Sequence, residues 1–354
     1  MRGRVHGRRG SCRYRAGMTR MPLPALDDVL AAATVVSLPM RVRFRGITTR
    51  EAVLLRGPAG WGEFAPFVEY DDEEAAAWLR AGLEAAWLGP PPAVRDGVEV
   101  NATVPAVDPG EVDAVLARFP GARTAKVKVA EPGGTLDADV ARVEAVRARV
   151  EKVRIDANGG WSVDEAVEAL RALTRTGTLE YAEQPCASVA ELAEVRRRVP
   201  DTPIAADESI RKAADPMRVV RAGAADVAVL KVAPLGGMRA LVALAEELAE
   251  HGVPVVVSSA LDTAVGMSAG VAAACALPSL PYACGLGTGG LFDDDVATLT
   301  PDESGIVHSG TVVPDPARLA SAAVTEPSPR ERWWRDRLRR THSVLAEREG
   351  GASV

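Results

Sequence analysis

The chain has 354 residues, of which 47% are hydrophobic and 25% are charged, a composition typical of a globular protein large enough for about two domains. Its formal net charge of −6 gives the whole molecule no attraction to nucleic acid or to an anionic membrane surface. Its four cysteines form no CxxC pair, so they indicate neither a zinc cluster nor a disulfide framework and favour a reduced, cytoplasmic setting.

Residues 1–20 form a basic segment with seven arginines and no acidic residue. The segment lacks the apolar stretch that a signal peptide requires. We predict either a disordered tail or a start codon assigned upstream of the true start at Met18 or Met21. A nucleic-acid-binding arm is the alternative interpretation.

The next part of the chain predicts a small α+β domain, residues 21–97. Residues 38–56 alternate between apolar and polar types and predict two strands with a turn near Gly46. A glycine- and aromatic-rich loop is expected over 60–67. A helix is expected over 71–88, because acidic residues suit its start and three prolines follow its end.

From residue 98 onward, short apolar runs recur and most of them end in a polar residue. From Lys128 onward, the last residues of successive runs lie 24 to 28 residues apart. Helical patterns such as 163–174 and 238–251 lie between the runs. Strands that alternate with helices predict a parallel sheet, and eight strands predict a closed (β/α) barrel over 98–290. The eight runs are 98–104, 123–128, 153–156, 179–183, 203–207, 226–231, 254–258 and 282–285.

Two stretches near the C-terminus need separate interpretation. Residues 263–292 carry no charge and are long enough to cross a bilayer, but glycines and prolines interrupt them and alanine dominates their apolar residues. We therefore predict a buried helix of small residues. Residues 291–354 are predicted to pack against the N-terminal domain and to complete it, with a flexible end beyond about Arg340.

Three carboxylates follow consecutive barrel strands: Asp156, Glu183 and Asp207. Neighbouring strands lie about 4.8 Å apart, so these side chains can converge at the C-terminal mouth of the barrel. Three oxygen ligands suit a hard cation, Mg²⁺ first, with Mn²⁺ as a substitute. Glu208 competes with Asp207 for the third position, and we predict Asp207.

Lysines are the candidate acid–base groups, because none of the four histidines ends a predicted barrel strand. Lys126 and Lys128 share one face of a strand, and neighbouring like charges lower the pKa of a lysine. Lys231 follows a strand on the other side of the barrel mouth. A metal between opposed lysines predicts proton abstraction next to a carboxylate, with the metal stabilising the resulting enediolate.

These lysines and carboxylates lie in five motifs: AKVK, RIDANGGW, EYAEQP, AADES and LKVAPLGG. Together the motifs resemble the muconate-lactonizing-type subgroup of the enolase superfamily. The resemblance covers nearly the whole chain after the basic segment. It implies a (β/α)7β TIM-like barrel with an α+β capping domain, and a Mg²⁺-dependent enzyme.

Within that subgroup, the stretches RFRGITTRE, GWGEFAPFVEYDDEEAAAWL and SSALDTAVG are most similar to the dehydratases of menaquinone biosynthesis. This resemblance implies dehydration of 2-succinyl-6-hydroxy-2,4-cyclohexadiene-1-carboxylate to o-succinylbenzoate. It implies that Lys128 abstracts the proton and helps the hydroxyl leave as water, that Lys231 stabilises the enediolate from the other face, and that Lys126 tunes Lys128.

The same resemblance implies the substrate contacts. Ser258, Ser259 and the backbone from Gly285 to Thr288 would hold the succinyl end, and Asn158 is a further candidate for substrate binding. The capping-domain loops 46–50 and 64–67 would close the site.

Other functions stay open. N-succinylamino acid racemase and muconate cycloisomerase are alternatives from the same subgroup, and a non-catalytic ligand-binding barrel is an alternative from another class. Dipeptide epimerases are disfavoured because residues 282–290 lack the acidic motif that would bind a substrate amine. We expect a small-molecule carboxylate substrate, no nucleic-acid or membrane partner, and a monomer in preference to an obligate oligomer.

Overall fold

The computed structural model describes residues 21–44, 46–211, 215–325 and 328–351. The basic segment 1–20, predicted to be a tail or a misassigned start, lies outside these residues.

An antiparallel sheet with helices forms the N-terminal part. Its three strands pair in the order β1-β2-β3, and the side chain of Asp71 caps the N-terminus of α2 by accepting from the Glu74 N–H at 2.7 Å. The two strands predicted within 38–56 and the helix predicted over 71–88 are therefore present. The elements are α1 Leu26–Ala31, β1 Ala33–Phe44, β2 Ile47–Gly57, β3 Gly60–Phe64, α2 Asp72–Leu83 and a π-helical turn Glu84–Leu88.

Glycine is required where α2 lies directly on this sheet. A Cβ added at Gly62 would lie 1.9 Å from the carbonyl oxygen of Gly82, and one added at Gly82 would lie 2.5 Å from the carbonyl oxygen of Glu63. Backbone atoms cannot move aside as a flexible side chain can, so neither position accepts a side chain. Gly62 therefore marks close packing, and the predicted loop is a strand as far as Phe64.

Seven parallel strands form the curled barrel sheet, in the spatial order β11-β10-β9-β8-β7-β6-β5. The eighth predicted strand, 282–285, is reduced to single bridges that join Cys284 to Val100 and Gly285 to Ser258. A glycine-rich stretch begins at Gly285 and weakens further strand pairing, yet the two bridges close the barrel. The strands are β5 Ala102–Val104, β6 Thr124–Lys128, β7 Lys152–Asp156, β8 Ala182–Glu183, β9 Ile204–Ala206, β10 Val227–Leu230 and β11 Val255–Val257.

Arg154 of β7 is fully buried below the barrel mouth and ties this closure together. Its Nη1 donates to Asn101 Oδ1 at 3.1 Å and to the Ala283 carbonyl at 2.8 Å, which links the start of the barrel to its closing segment. Its Nε donates to Glu180 at 2.5 Å, and its guanidinium lies 4.7 Å from the ring centroid of Tyr181. Burying a charged guanidinium is energetically costly, and these contacts offset that cost.

Helices surround the barrel and confirm the predicted alternation. The helices expected over 163–174, 238–251 and within 263–292 are α5, α10 and α11. No helix within the described ranges has both the length and the apolar character needed to cross a membrane. The helices are α3 Val112–Leu116, α4 Leu136–Arg147, α5 Val163–Leu173, α6 Val189–Arg198, α7 Glu208–Arg211, α8 Arg218–Arg221, α9 Val232–Leu235, α10 Met238–Glu250, α11 Ala264–Ala276 and α12 Pro316–Ala322, with 3-10 turns at Pro109–Glu111 and Thr288–Leu291.

After the barrel, strand β12 Ile306–His308 pairs with β4 Gly97–Glu99, and helix α13 Pro329–Gly351 packs against α2. The flexible end predicted beyond Arg340 is instead helical, because Leu338 and Leu345 are buried on the inner face of α13. The buried Arg337 of the same helix donates to the carbonyls of Phe67 and Tyr70 at 3.1 and 2.6 Å.

We expect Gly62→Ala to lower the free energy of unfolding by about 1–3 kcal/mol, because the added methyl group forces α2 away from the sheet. Urea denaturation followed by circular dichroism would measure the change. Gly110→Ala is the matched control, since a Cβ there meets no atom within 4 Å. Equal unfolding free energies for the two variants would contradict the packing argument.

Candidate functional site

One pocket lies at the C-terminal ends of the barrel strands. The structure brings together in its lining nine residues for which the sequence predicted a role, whereas Glu183 and Asp207 lie buried behind the lining lysines. The roles themselves stay predictions. The lining consists of Thr103, Lys126, Lys128, Asp156, Asn158, Lys231, Ser258, Ser259, Ala260, Leu261, Gly285 and Thr288.

The register of the parallel strands aligns the first part of the site. Lys128 pairs with Asp156 and Asp156 pairs with Glu183, so three strand ends meet at one level. The Lys126 ammonium lies 2.8 Å from both Glu183 oxygens and 3.1 Å from Asp156 Oδ2. The Lys128 ammonium lies 2.5 Å from Asp156 Oδ2 and 2.6 Å from Asn158 Oδ1. Both lysines therefore contact Asp156.

A second ion pair stands on the other side of the mouth. The Lys231 ammonium lies 2.6 Å from Asp207 Oδ2, and Arg211 Nε donates to Asp207 Oδ1 at 3.1 Å. Arg211 also donates to Glu208 at 2.7 Å and to the Tyr70 hydroxyl at 3.2 Å. The structure thus places Asp207, and not Glu208, against Lys231.

These contacts control the pKa values of the charged groups. Burial alone raises the pKa of Asp156, but the charges of Lys126 and Lys128 outweigh it and hold that pKa well below its usual range. Burial lowers the pKa of Lys126, but Asp156 and Glu183 outweigh it and raise that pKa well above its usual value. The pKa of Lys126 is therefore raised, whereas the sequence analysis expected two neighbouring lysines to lower it. The sequence pattern does not show how closely the carboxylates approach.

The donor set fits a hard divalent cation. Burial raises the pKa of Glu183 to about 7, and the negative charges of Asp156 and Asp207 contribute to this rise. The three carboxylates therefore repel one another, and a cation among them would relieve the repulsion. Their oxygens are the ligands that Mg²⁺ prefers.

Within the part of the chain that the structure describes, no group of three His, Cys, Asp or Glu side chains is arranged closely enough to hold a metal ion as it stands. Lys126 lies between Asp156 and Glu183, and Lys231 lies against Asp207. Any cation at these carboxylates would have to compete with the ammonium groups for the same oxygens. The magnesium site of the sequence analysis therefore stays a prediction.

The part of the pocket formed after β11 and by the closing segment carries hydroxyl groups. Ser259 Oγ and Thr288 Oγ1 lie 2.7 Å apart, and Ser258 Oγ donates to the Gly285 carbonyl at 3.4 Å. A Cβ at Gly285 would lie 2.4 Å from Ser258 Oγ, so this close approach requires glycine. These hydroxyl groups could donate hydrogen bonds to a substrate carboxylate.

Some contributions were missed by the sequence analysis. Thr103, Ala260 and Leu261 line the pocket. Of these, only Thr103 could have been found from the sequence, because it is a polar residue near the end of the first barrel strand. The capping loops 46–50 and 64–67, predicted to close the site, supply no lining residue within the described ranges. Their connection to the site is indirect, through Arg50, whose Nε donates to the Leu261 carbonyl at 2.9 Å.

Two family models match the chain. The model described as "Enolase N-terminal domain-like" matches residues 35–86, and the model described as "Enolase C-terminal domain-like" matches residues 111–315. The first match covers β1 to α2, and the second covers β6 to β11 and continues past the barrel through β12.

Solved structures with the same fold include muconate lactonizing enzymes. The enzyme of Pseudomonas fluorescens in complex with muconolactone has a TM-score of 0.70 at 24% identity, covering 82% of this chain and 98% of that one. The enzyme of Pseudomonas putida has a TM-score of 0.68 at 22% identity, with the same coverage. At these identities the likeness shows the fold alone.

Curated relatives are much more similar. The o-succinylbenzoate synthase of Mycolicibacterium smegmatis is 62% identical over 323 residues, which cover 91% of this chain and 99% of the relative. The o-succinylbenzoate synthase of Mycobacterium marinum is 60% identical over 331 residues, which cover 93% of this chain and 99% of the relative. With its two enolase-type domains, its curled parallel barrel and this identity over nearly its full length, the chain belongs to the o-succinylbenzoate synthases of the enolase superfamily.

Proposed function

We propose that this protein is a hydro-lyase that converts 2-succinyl-6-hydroxy-2,4-cyclohexadiene-1-carboxylate to o-succinylbenzoate in menaquinone biosynthesis. The opposed placement of Lys128 and Lys231 around one pocket carries the proposal. β6 and β10 stand four places apart in the sheet order, about halfway around the closed ring, so their lysines approach a bound molecule from opposite sides. The names of the relatives at 60–62% identity support the choice of product.

Lys128 is the proposed base. Lys126 holds both oxygens of Glu183, and its raised pKa keeps it charged, so it is poorly suited to accept a proton. Lys128 lines the pocket and shares Asp156 with Lys126. Lys126 would therefore act on Lys128 through the carboxylate that both contact.

The proposed reaction uses one lysine on each face of the substrate ring. Uncharged Lys128 accepts the C1 proton, and the electron pair of the broken C–H bond delocalises into the adjacent carboxylate as an enediolate. The C6–O bond then breaks, the proton returns from Lys128 to the departing oxygen as water, and the ring becomes aromatic. Lys231 places positive charge at the opposite face, where the enediolate develops negative charge.

Asp156, Glu183 and Asp207 are the proposed ligands of Mg²⁺, for which Mn²⁺ could substitute. When bound, the cation supplies positive charge next to the substrate carboxylate. Ser258, Ser259, Asn158 and the backbone at Gly285 would orient the substrate.

The proposal extends to the setting of the reaction. Cys186, Cys275 and Cys284 are buried free thiols in the described structure, which supports a reduced, cytoplasmic environment. We propose that the enzyme acts as a monomer on a small carboxylate.

We expect Lys128→Ala and Lys231→Ala each to reduce turnover of the cyclohexadiene substrate by at least about 100-fold, because each removes a charge or proton acceptor from one face of the substrate. Ultraviolet absorbance of the aromatic product would follow the reaction.

The matched control for these variants is Lys152→Ala. Lys152 is exposed and lies at the start of β7, at the end of the barrel sheet away from the pocket. It should retain wild-type turnover. If the folded wild type does not turn over this substrate, the proposed function is wrong, and racemisation of N-succinylamino acids becomes the next assay.

Removal of divalent cations by chelation should abolish turnover, and Mg²⁺ should restore it. Asp156→Asn should raise the Mg²⁺ concentration needed for half-maximal turnover by about 10-fold or more, because it removes a charged ligand. Asp164→Asn, at an exposed carboxylate on α5, is the control. Undiminished turnover by chelator-treated enzyme would argue against the metal.

A further inference from the structure

The pocket wall between β11 and α11 has an unfavourable backbone conformation. Ser258, Ser259, Ala260 and Leu261 all line the pocket, and Leu261 has φ = +64° without being glycine. A left-handed conformation costs a residue with a side chain about 1–2 kcal/mol, and it persists only where surrounding contacts impose it. Asp262 Oδ2 of the same connection accepts from the Ala260 N–H at 3.1 Å, and further contacts come from outside the connection.

Arg50 of β2 supplies such a contact. It is 3% exposed, and its Nε donates to the Leu261 carbonyl at 2.9 Å. The same guanidinium donates through Nη2 to the Ala65 carbonyl and lies 4.4 Å from the ring centroid of Phe67. One buried side chain thus joins the capping loop that begins after β3 to the strained residue of the pocket wall.

Glu63 of β3 supplies a second contact just beyond Leu261. Its Oε2 accepts from the Thr263 N–H at 3.0 Å, from the Thr263 hydroxyl and from the Gly266 N–H at 3.3 Å. These donors lie at the N-terminus of α11, where backbone N–H groups have no partner within the helix. Arg50 therefore contacts the wall itself, and Glu63 contacts the residues that follow it.

We propose that Arg50 is a positioning residue, which holds Leu261 in its left-handed conformation and so shapes the pocket wall 258–261 for substrate. Arg50 lines no part of the pocket, so it acts through the Leu261 backbone. The inference rests on the proposed function for its kinetic consequence, but the contact and its effect on the wall do not depend on which substrate binds. Misplacing a binding group by about 1 Å can cost about 100-fold in rate.

Arg50→Met is expected to reduce kcat/KM for the cyclohexadiene substrate by about 10- to 100-fold, with a clear rise in KM. Arg50→Lys keeps a donor within reach of the Leu261 carbonyl and should bring KM part of the way back to the wild-type value. A merely structural role would lower the active fraction and leave KM unchanged. The full chain would be used, with Mg²⁺ present.

Arg95→Met is the matched control, because Arg95 likewise donates to backbone carbonyls near α11, those of Leu277 and Pro278 at 2.7 and 3.1 Å, but at the end of the helix away from the pocket. Amide hydrogen exchange measured by mass spectrometry should accelerate over 259–266 in Arg50→Met and not in Arg95→Met.

An unchanged KM, or unchanged exchange over 259–266, in Arg50→Met would overturn the inference, and if that variant does not fold, the same two measurements on Arg50→Lys decide it. Absence of turnover by wild type would refute the proposed function and leave the exchange measurement as the test of the wall.

Discussion

The structure depends on how six charges are buried at the mouth of the barrel. Each of them is at most 8% exposed, and moving a charge out of water costs several kcal/mol unless a partner compensates it. Pairing is possible because parallel strands end at one level, which sets lysines from one strand against carboxylates from the next. Removing a single partner would leave an uncompensated buried charge, so the group functions as one unit. Its members are Lys126, Lys128, Asp156, Glu183, Asp207 and Lys231.

The barrel must be closed for these charges to meet, and the closing segment forms few backbone bridges. Arg154 compensates for this weakness, because it donates to Asn101 and to the Ala283 carbonyl across the seam. The period of two along β7 places Arg154 on the same face as Asp156, one step deeper. One strand thus supplies both the cation that closes the barrel and the carboxylate that both neighbouring lysines contact.

The sequence was sufficient to predict which side chains meet at the strand ends wherever a local pattern encodes their positions. Lys126 and Lys128 are two residues apart on a strand, and Asp156 ends the next one, so period and spacing were sufficient to bring them together. It failed where the deciding contact is distant. The contact between Arg50 and Leu261 spans 211 positions, and neither residue lies in a pattern that indicates the other. The glycines of β3 were misinterpreted for the same reason, since the constraint on Gly62 comes from Gly82 of α2. The raised pKa of Lys126 also depends on carboxylates from other strands.

Proton transfer and substrate choice are expected to depend on different parts of this fold. The lysines stand at the ends of strands that backbone hydrogen bonds hold in register. The wall 258–261 lies instead in a connection where Leu261 is strained, and such a segment takes the shape that its neighbours impose. Those neighbours, Arg50 and Glu63, belong to the N-terminal sheet. Under the proposed roles of these residues, a substitution in that sheet would reshape the pocket without altering a lysine, so one barrel would keep its proton chemistry while its substrate changes.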